Sequence, residues 1–418
     1  MTPTNASPPT NLTRASSVHD INADDPPFGS RFLTDESLVF TQNAWDHVPP
    51  PTDQDETIAT SLAKQRLSPV PTQDRAKYNE KPARHWDNFY KNNTSNFFKD
   101  RKWLHNEFPK LVESTKAEAG PMKIAEIGCG AGNSVFPLLA GNQNPQLELY
   151  AYDYSNHAVK LVQNNPLYTS PPVGKIHAAV WDLSSPDALP PGVEEGSVDI
   201  VVLVFVLSAL HPDEWERAVS NVHKILKPGG LVLLRDYGRY DLTQLRFKAG
   251  RLLDDEFGNF YIRGDKTRVY FFELGVRSCF ILSPNECSIH LATDELAVIF
   301  TGAGPSPSSA TIKTTTTEME DEGLESKSGS PIPILLQPTI VDDEIPAPRV
   351  GTPLLTNDPQ IHPRLFEPSS LHHPLFQIEQ LGIDRRLIVN RKRQLKMYRI
   401  WMQGVFQKVG RTGAGETL

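Results

Sequence analysis

Short apolar runs recur through the middle of the chain, at residues 123–127, 147–153, 175–182 and 198–207. Runs this short, bounded by turn residues, predict strands, and the near-continuous apolarity of 198–207 predicts a central strand buried on both faces. Helical periods lie between them. Residues 134–139 begin one helix, and 156–165 form a second that ends before Pro166. Residues 213–226 form a third, with Trp215, Val219, Val222 and Leu226 on one side. Its expected end is Lys227-Pro228-Gly229-Gly230, where proline cannot continue a helix and glycine supplies a positive-φ cap. Residues 231–235 read as the next strand. Strand–helix alternation at this spacing predicts an α/β doubly wound domain, a parallel sheet with right-handed crossovers.

The flanks have a different character. The chain has 418 residues and a net charge of −8. Residues 1–74 and 311–370 each hold ten acids and four bases, so the remainder is a mildly basic body. Of 36 prolines, 11 lie in residues 1–82 and 12 in 301–375. Residues 1–27 have almost nothing to bury and are expected to be a disordered tail. Residues 28–111 read as an N-terminal extension. Its first part, through Trp45, needs a partner surface to order. Its second, 75–111, is helical and basic with interleaved aromatics. Residues 112–300 form the core, 301–372 a low-complexity insertion, and 373–418 the closing strands, around 383–390 and 396–403. Three cysteines without a CxxC exclude a disulfide-built secreted fold. The N-terminus lacks the apolar region of a signal peptide, and the longest apolar run, 200–207, is too short to span a bilayer. A cytoplasmic monomer is the expectation.

The first strand leads into Glu126-Ile127-Gly128-Cys129-Gly130-Ala131-Gly132-Asn133. Glycines at a strand-to-helix turn let a ligand approach the backbone, and the helix N-terminus favours an anionic group. Alone, this GxGxG loop could be a tight turn in any α/β domain. Asp153 closes the second strand, where a carboxylate can accept from both ribose hydroxyls, and Asp182 closes the third, beside the same crevice. Singly, each acid reads more readily as a helix N-cap. In order, the three features resemble the class I S-adenosylmethionine-dependent methyltransferases. The segment Phe205-Val206-Leu207-Ser208-Ala209-Leu210-His211 lacks the Asn/Asp-Pro-Pro-aromatic motif of exocyclic-amine methylation. Cys129 belongs to the glycine loop, so a cysteine nucleophile is not expected. The histidines show no metal-ligand spacing, and no metal is expected. Residues 75–102 hold eight bases against three acids, and 385–399 hold seven bases and no acid. An isolated charge run is usually a solvated face. Two flanking one crevice suggest a phosphate-binding channel, with Arg391, Lys392 and Arg393 as RNA contacts.

Several blocks resemble the tRNA N3-methylcytidine methyltransferases. They include Phe28-Gly-x-Arg-Phe-Leu-Thr-Asp35, Asn43-Ala-Trp-Asp46, Trp86-x-x-Phe-Tyr90, Phe97-Phe-Lys-Asp-Arg101, Leu234-Arg-Asp-Tyr-Gly-Arg-Tyr-Asp241 and Thr267-Arg-Val-Tyr-Phe-Phe272. The first two are similar to the branch acting on threonine tRNA. The resemblance implies a Rossmann-like class I fold with a mostly parallel seven-stranded sheet and an N-terminal RNA-binding extension. It also implies S-adenosylmethionine as cofactor and methylation of cytidine 32 in the tRNA anticodon loop. Cofactor contacts would then fall on Trp86, Tyr90, Gly128, Gly130, Gly132, Asp153, Asp182, Leu183 and Val204. Trp86 and Tyr90 would form a lid, although their spacing alone reads as packing. Asp236 is the candidate stabiliser of the cationic product, against a plainer salt bridge to Arg235 or Arg239. Two other readings compete: a non-catalytic RNA-binding adaptor of the same fold, and a small-molecule methyltransferase. Residues 275–292 depart from the family and are expected to be a retained, translated intron.

Overall fold

The sheet is assembled from both ends of the chain. A computed structural model describes residues 32–302 and 361–410, apart from 47, 95–96, 102, 187–188, 255–257, 274–277, 284–285 and 291–294. The expectations for residues 1–27 and for the insertion up to 360 lie outside these described residues.

The N-terminal extension supplies strand β1 (Ala44–Asp46) and helices α1 (Gln54–Arg66), α2 (Thr72–Asn79), α3 (Pro82–Asn93), α4 (Leu104–Glu107) and α5 (Pro109–Ser114). Pro82 and Pro109 stand in the first turns of α3 and α5, where a missing N–H costs nothing. They break what reads in sequence as one helical stretch. The core follows as β2 (Met122–Ile127), α6 (Val135–Ala140), β3 (Leu147–Asp153), α7 (Asn156–Gln163), α8 (Pro166–Thr169), β4 (Lys175–Val180) and β5 (Val198–Val204). Then come α9 (Trp215–Ile225), β6 (Leu226–Tyr237), α10 (Leu242–Leu245), β7 (Phe260–Ile262) and β8 (Arg268–Tyr270). The chain continues through β9 (Ser278–Ser283), β10 (Glu286–His290) and α11 (Glu295–Thr301). It closes with the hairpin β11 (Phe376–Asn390) and β12 (Leu395–Lys408).

The main sheet runs β1-β11-β12-β6-β5-β2-β3-β4. The five strands from β6 to β4 are parallel, and the remaining pairings are antiparallel. This is the expected Rossmann-like arrangement with eight strands rather than seven. The eighth is β1, whose Trp45 pairs with Leu387 and donates its indole N–H to the Val39 carbonyl at 2.8 Å. Val39, Trp45, Leu387 and Val389 pack into a small core of their own. The partner surface that this aromatic segment needs is therefore the C-terminal hairpin of the same chain. Strand β5 behaves as its composition requires. Val201 and Leu203 enter one hydrophobic cluster, and Ile200, Val202 and Val204 enter the cluster on the other face.

Two expectations require correction. Residues 227–230 do not cap α9: that helix ends at Ile225, Leu226 is extended, and the Pro228-Gly229-Gly230 stretch lies within β6. The orphan carbonyls of the last turn are taken instead by Gly196 N–H on Lys224 (2.8 Å) and Ser197 N–H on Ile225 (3.0 Å). A shift in the β5–β6 register absorbs the irregular stretch. The chain also re-enters the fold by residue 361, ahead of the boundary expected at 373. There the His362 N–H donates to Glu295 at 2.8 Å, Arg364 pairs with Asp213, and Ser370 donates to Glu216. A deletion of 311–358 is accordingly expected to leave activity largely intact. Extending it to 370 should lower the thermal midpoint by several degrees, because buried Glu295 then loses a donor. Equal midpoints for the two deletions would contradict this. Within 275–292, β9 and β10 pair only with each other among the described strands. No helix of the described residues is long and apolar enough to cross a membrane.

Candidate functional site

The β2–α6 turn carries three glycines with positive φ: Gly128 (67°), Gly130 (55°) and Gly132 (86°). Each needs glycine twice over. An added Cβ at Gly128 would lie 2.6 Å from Val206, and at Gly130 and Gly132 it would strike the Tyr90 hydroxyl and the Phe136 ring. Beside this turn lies a cavity of about 270 Å³. Trp86, Tyr90, Gly128, Asp153, Asp182, Leu183 and Val204 all line it, so the structure gathers these expected contacts around one space. Gly130 and Gly132 are not in its wall. They shape the turn behind it.

Asp153 sits at the end of β3 with both oxygens engaged. Oδ2 accepts from the Gly130 N–H at 2.9 Å, and Oδ1 accepts from the Ser155 N–H at 2.8 Å. Each oxygen keeps a second lone pair, as a diol-binding carboxylate requires. Burial pushes the Asp153 carboxyl up to about 6, against the pull of those two amides. Asp182 is exposed, and its Oδ1 accepts from both the backbone N–H and the hydroxyl of Ser184, each at 2.8 Å. Glu126, the acid that opens the glycine loop, is held by Arg101 at 3.1 Å and by the Val135 N–H at 3.1 Å. Burial pushes it up to about 7, opposed first by Arg101. The N-terminal extension is thereby tied to the loop through an ion pair. A second tie is Asp87, which accepts from the Ser155 hydroxyl at 2.7 Å and the His157 N–H at 3.0 Å. It fixes α3 against the N-terminus of α7. From sequence neither residue has an assigned role: Arg101 closes the block that begins at Phe97, and Asp87 lies unnamed in the block that begins at Trp86.

Aromatic rings close the cavity. Trp86 stacks near Tyr90 with centroids 6.0 Å apart, and Phe89 meets Phe97 edge-on at 4.9 Å. Phe205, at the end of β5, holds φ at 61°, and its ring lies 4.6 Å from that of Tyr237. A bulky residue held at positive φ is strained, and such strain gathers at binding sites. The cavity wall includes Ser208 and Tyr237 but not Asp236. The Asp236 carboxylate lies behind them, accepting from the Ser208 N–H at 3.0 Å and the Tyr237 N–H at 2.8 Å. The simpler alternative also fails, since Arg235 pairs with Asp384 and Arg239 with Glu273. Asp236 is therefore placed to position Ser208 and Tyr237 rather than to touch a ligand.

The C-terminal basic run divides. Arg386 is bound to Asp46, Glu107 and Asp384, Arg399 to Asp241, and Lys396 to Glu36. Arg391, Lys392 and Arg393 remain exposed in the β11–β12 turn, outside the cavity wall.

The residues present suit S-adenosylmethionine: a turn that only glycine can form, a buried carboxylate with spare lone pairs, a second strand-end acid, and an aromatic cover. The chain is also similar to known proteins. A family model described as a methyltransferase domain matches residues 125–232. The tRNA(Thr) (cytosine(32)-N(3))-methyltransferase of Saccharomyces cerevisiae is 42% identical over 91% of this chain, which spans only 45% of that protein. The tRNA N(3)-methylcytidine methyltransferase of Schizosaccharomyces pombe is 38% identical over 91% of this chain and 92% of its own length. A solved SAM-dependent methyltransferase from Methanosarcina mazei aligns with 72% of the chain and 98% of its own, at 14% identity and a TM-score of 0.34. With the 38% identity covering about nine-tenths of both this chain and the fission-yeast protein, the chain belongs to the tRNA N(3)-methylcytidine methyltransferases, class I enzymes that use S-adenosylmethionine.

Proposed function

We propose that this protein methylates N3 of cytidine 32 in the anticodon loop of threonine tRNA, forming 3-methylcytidine. The observation that carries the reading is the 42% identity, over 91% of the chain, to the budding-yeast protein named for that activity. When bound, S-adenosylmethionine supplies an electrophilic methyl group on a sulfonium. The chain's own residues do the rest. Asp153 and Asp182 accept hydrogen bonds from the bound cofactor, and the glycine turn lets it approach the backbone. Trp86 and Tyr90 cover it and exclude water. Cytosine N3 is unprotonated at neutral pH and carries a free lone pair, so no general base is needed. N3 is buried in a Watson–Crick pair, so the target must be unpaired or extruded, as a loop nucleotide is. Asp236 holds the Ser208 and Tyr237 amides behind the cavity, where the product's positive charge develops. The extension is assigned to tRNA binding and cofactor cover, and a cytoplasmic monomer is the proposed working form.

Purified full-length protein, labelled S-adenosylmethionine and a threonine tRNA transcript should yield 3-methylcytidine on nucleoside mass spectrometry. A transcript with uridine at position 32 should yield none. Equal labelling of both would overturn the site assignment. Arg391, Lys392 and Arg393 are proposed to bind the RNA backbone. Replacing all three with alanine should weaken tRNA binding and flatten its dependence on log salt by about two to three units. An unchanged slope would return the turn to a solvated face.

A further inference from the structure

A second cavity, of about 540 Å³, opens on a different face of α3. Arg84, His85, Asn88 and Asn92 point one helical stripe at it, whereas Trp86, Phe89 and Tyr90 face the cofactor cavity. Across from the stripe lies the β7–β8 turn, with Gly264, Asp265 and Lys266 in the wall. Asp265 also lines the cofactor cavity, so the two spaces adjoin at this turn.

The charges in the wall are unbalanced. Lys77 is paired with Asp74 at 3.0 Å, and one Asp265 oxygen is taken by the Thr267 N–H and hydroxyl at 2.9 and 2.7 Å. Lys81, Arg84 and Lys266 are exposed and have no ion-pair partner among the described residues, and they outnumber the wall's two acids, Glu80 and Asp265, the latter keeping its charge although Thr267 donates to it. Lys266 holds φ at 68°, a left-handed conformation that is unfavourable for a non-glycine residue. Burial first, then the charges of Lys266, Arg268 and Arg84, hold the His85 imidazole below its ordinary value against a hydrogen bond to Lys77. The potential inside is therefore positive.

We propose that this cavity binds the ribose–phosphate backbone of the substrate RNA beside the nucleotide being methylated. The inference rests on the tRNA methylation proposed above. A base turned into the cofactor cavity brings its two flanking phosphates within one nucleotide of the mouth. A cation cluster that shares a wall residue with that cavity stands where they must pass. Three cations and the Asn88 and Asn92 amides match phosphate and ribose oxygens, with no base-reading element needed.

The test combines Lys81→Ala, Arg84→Ala and Lys266→Ala in the full-length protein. All three side chains are exposed, so the fold should hold, and unchanged S-adenosylmethionine affinity by calorimetry checks that it does. Affinity for threonine tRNA should fall at least tenfold, and the salt slope should flatten by about two units, near 0.7 for each single-strand phosphate released. A second arm uses wild-type protein and an anticodon stem-loop with uncharged methylphosphonates at the two linkages flanking cytidine 32. Wild type should bind this RNA several-fold more weakly than the native stem-loop, and the triple variant should show no further loss. Full tolerance of the neutral linkages by wild type would overturn the inference, as would a triple variant with unaltered slope. Either result leaves the methylation reading standing. Wild type that neither binds nor methylates tRNA would overturn both.

Discussion

Asp153→Ala is expected to remove measurable S-adenosylmethionine binding while leaving the chain folded, with a cooperative urea transition. The carboxylate ends β3, is 5% exposed, and offers a spare lone pair on each oxygen to the ribose hydroxyls. Hydrogen bonds to a charged acceptor contribute about 1.5–3 kcal/mol each, so losing two weakens binding by a factor of one hundred or more. The turn loosens as well, because Gly130 loses the acceptor of its N–H. The chain still folds, since burial already disfavours the ionised form, as the rise to about 6 records, although the Gly130 and Ser155 N–H groups lose their acceptor and lower the midpoint modestly. That rise also fixes the pH dependence. Ligand hydroxyls donate to the carboxylate, so affinity is full above about pH 6 and weakens as pH falls through that value. Asp153→Asn should bind weakly with a flat profile over the same range. Calorimetric titration showing wild-type affinity in the alanine variant would sink the cofactor assignment.

The largest stability effect is expected at Asp384. Arg235 is 1% exposed and Asp384 0%. The Arg235 guanidinium lies 4.5 Å from the ring centroids of both Trp103 and Trp401, donates to Gln403 Oε1 at 3.1 Å and pairs with Asp384. One cation thus joins the N-terminal extension, β6 and both closing strands. Removing the acid leaves that cation buried with only Glu107, itself paired with Arg386, to oppose it, which costs about 3–5 kcal/mol. Domains have only about 5–15 kcal/mol in total. Asp384→Ala should therefore lower the urea midpoint severely, and Asp384→Asn nearly as much, because the missing quantity is charge rather than volume. Adding Arg235→Met to Asp384→Ala should recover part of the loss, since apolar replacement of both partners is close to neutral. A single Asp384 variant that unfolds with wild type would show that the pair contributes nothing.

The central half of this architecture was legible because its signals are local. Residues 147–153 read as a strand ending in an acid, and β3 has those bounds. The three glycines announced a turn, and all three have positive φ. What sequence hid depends on distant partners. Pro228 and two glycines looked like a helix stop, yet the α9 carbonyls found donors in residues 196–197, which no helix rule includes. The seven bases of 385–399 looked like one basic face. Arg386, Lys396 and Arg399 are instead spent on Asp46, Glu107, Asp384, Glu36 and Asp241, from several parts of the chain. Asp236 followed the same logic. Its neighbours in sequence suggested a salt bridge, but backbone amides reached it first. The second cavity was invisible for a related reason: its Lys266 wall lies far along the chain from α3.

The placing of the closing hairpin reaches back to the chain's synthesis. β12 inserts between β6 and β11, and among the described strands β1 pairs with β11 alone, with Ala44 opposite Ile388. A ribosome emits β1 early and must translate more than three hundred further codons before its mate exists. From residue 237 until the hairpin emerges, β6 is a nascent open edge beside a finished parallel half-sheet, an arrangement prone to mispairing and dependent on chaperone cover. The glycine turn and both strand-end acids are complete by then, but the sheet that steadies them is not. A premature stop codon between residues 205 and 376 therefore spares every proposed cofactor contact and still forfeits all three antiparallel pairings of the main sheet, so late truncations should be as damaging as lesions in the glycine turn itself.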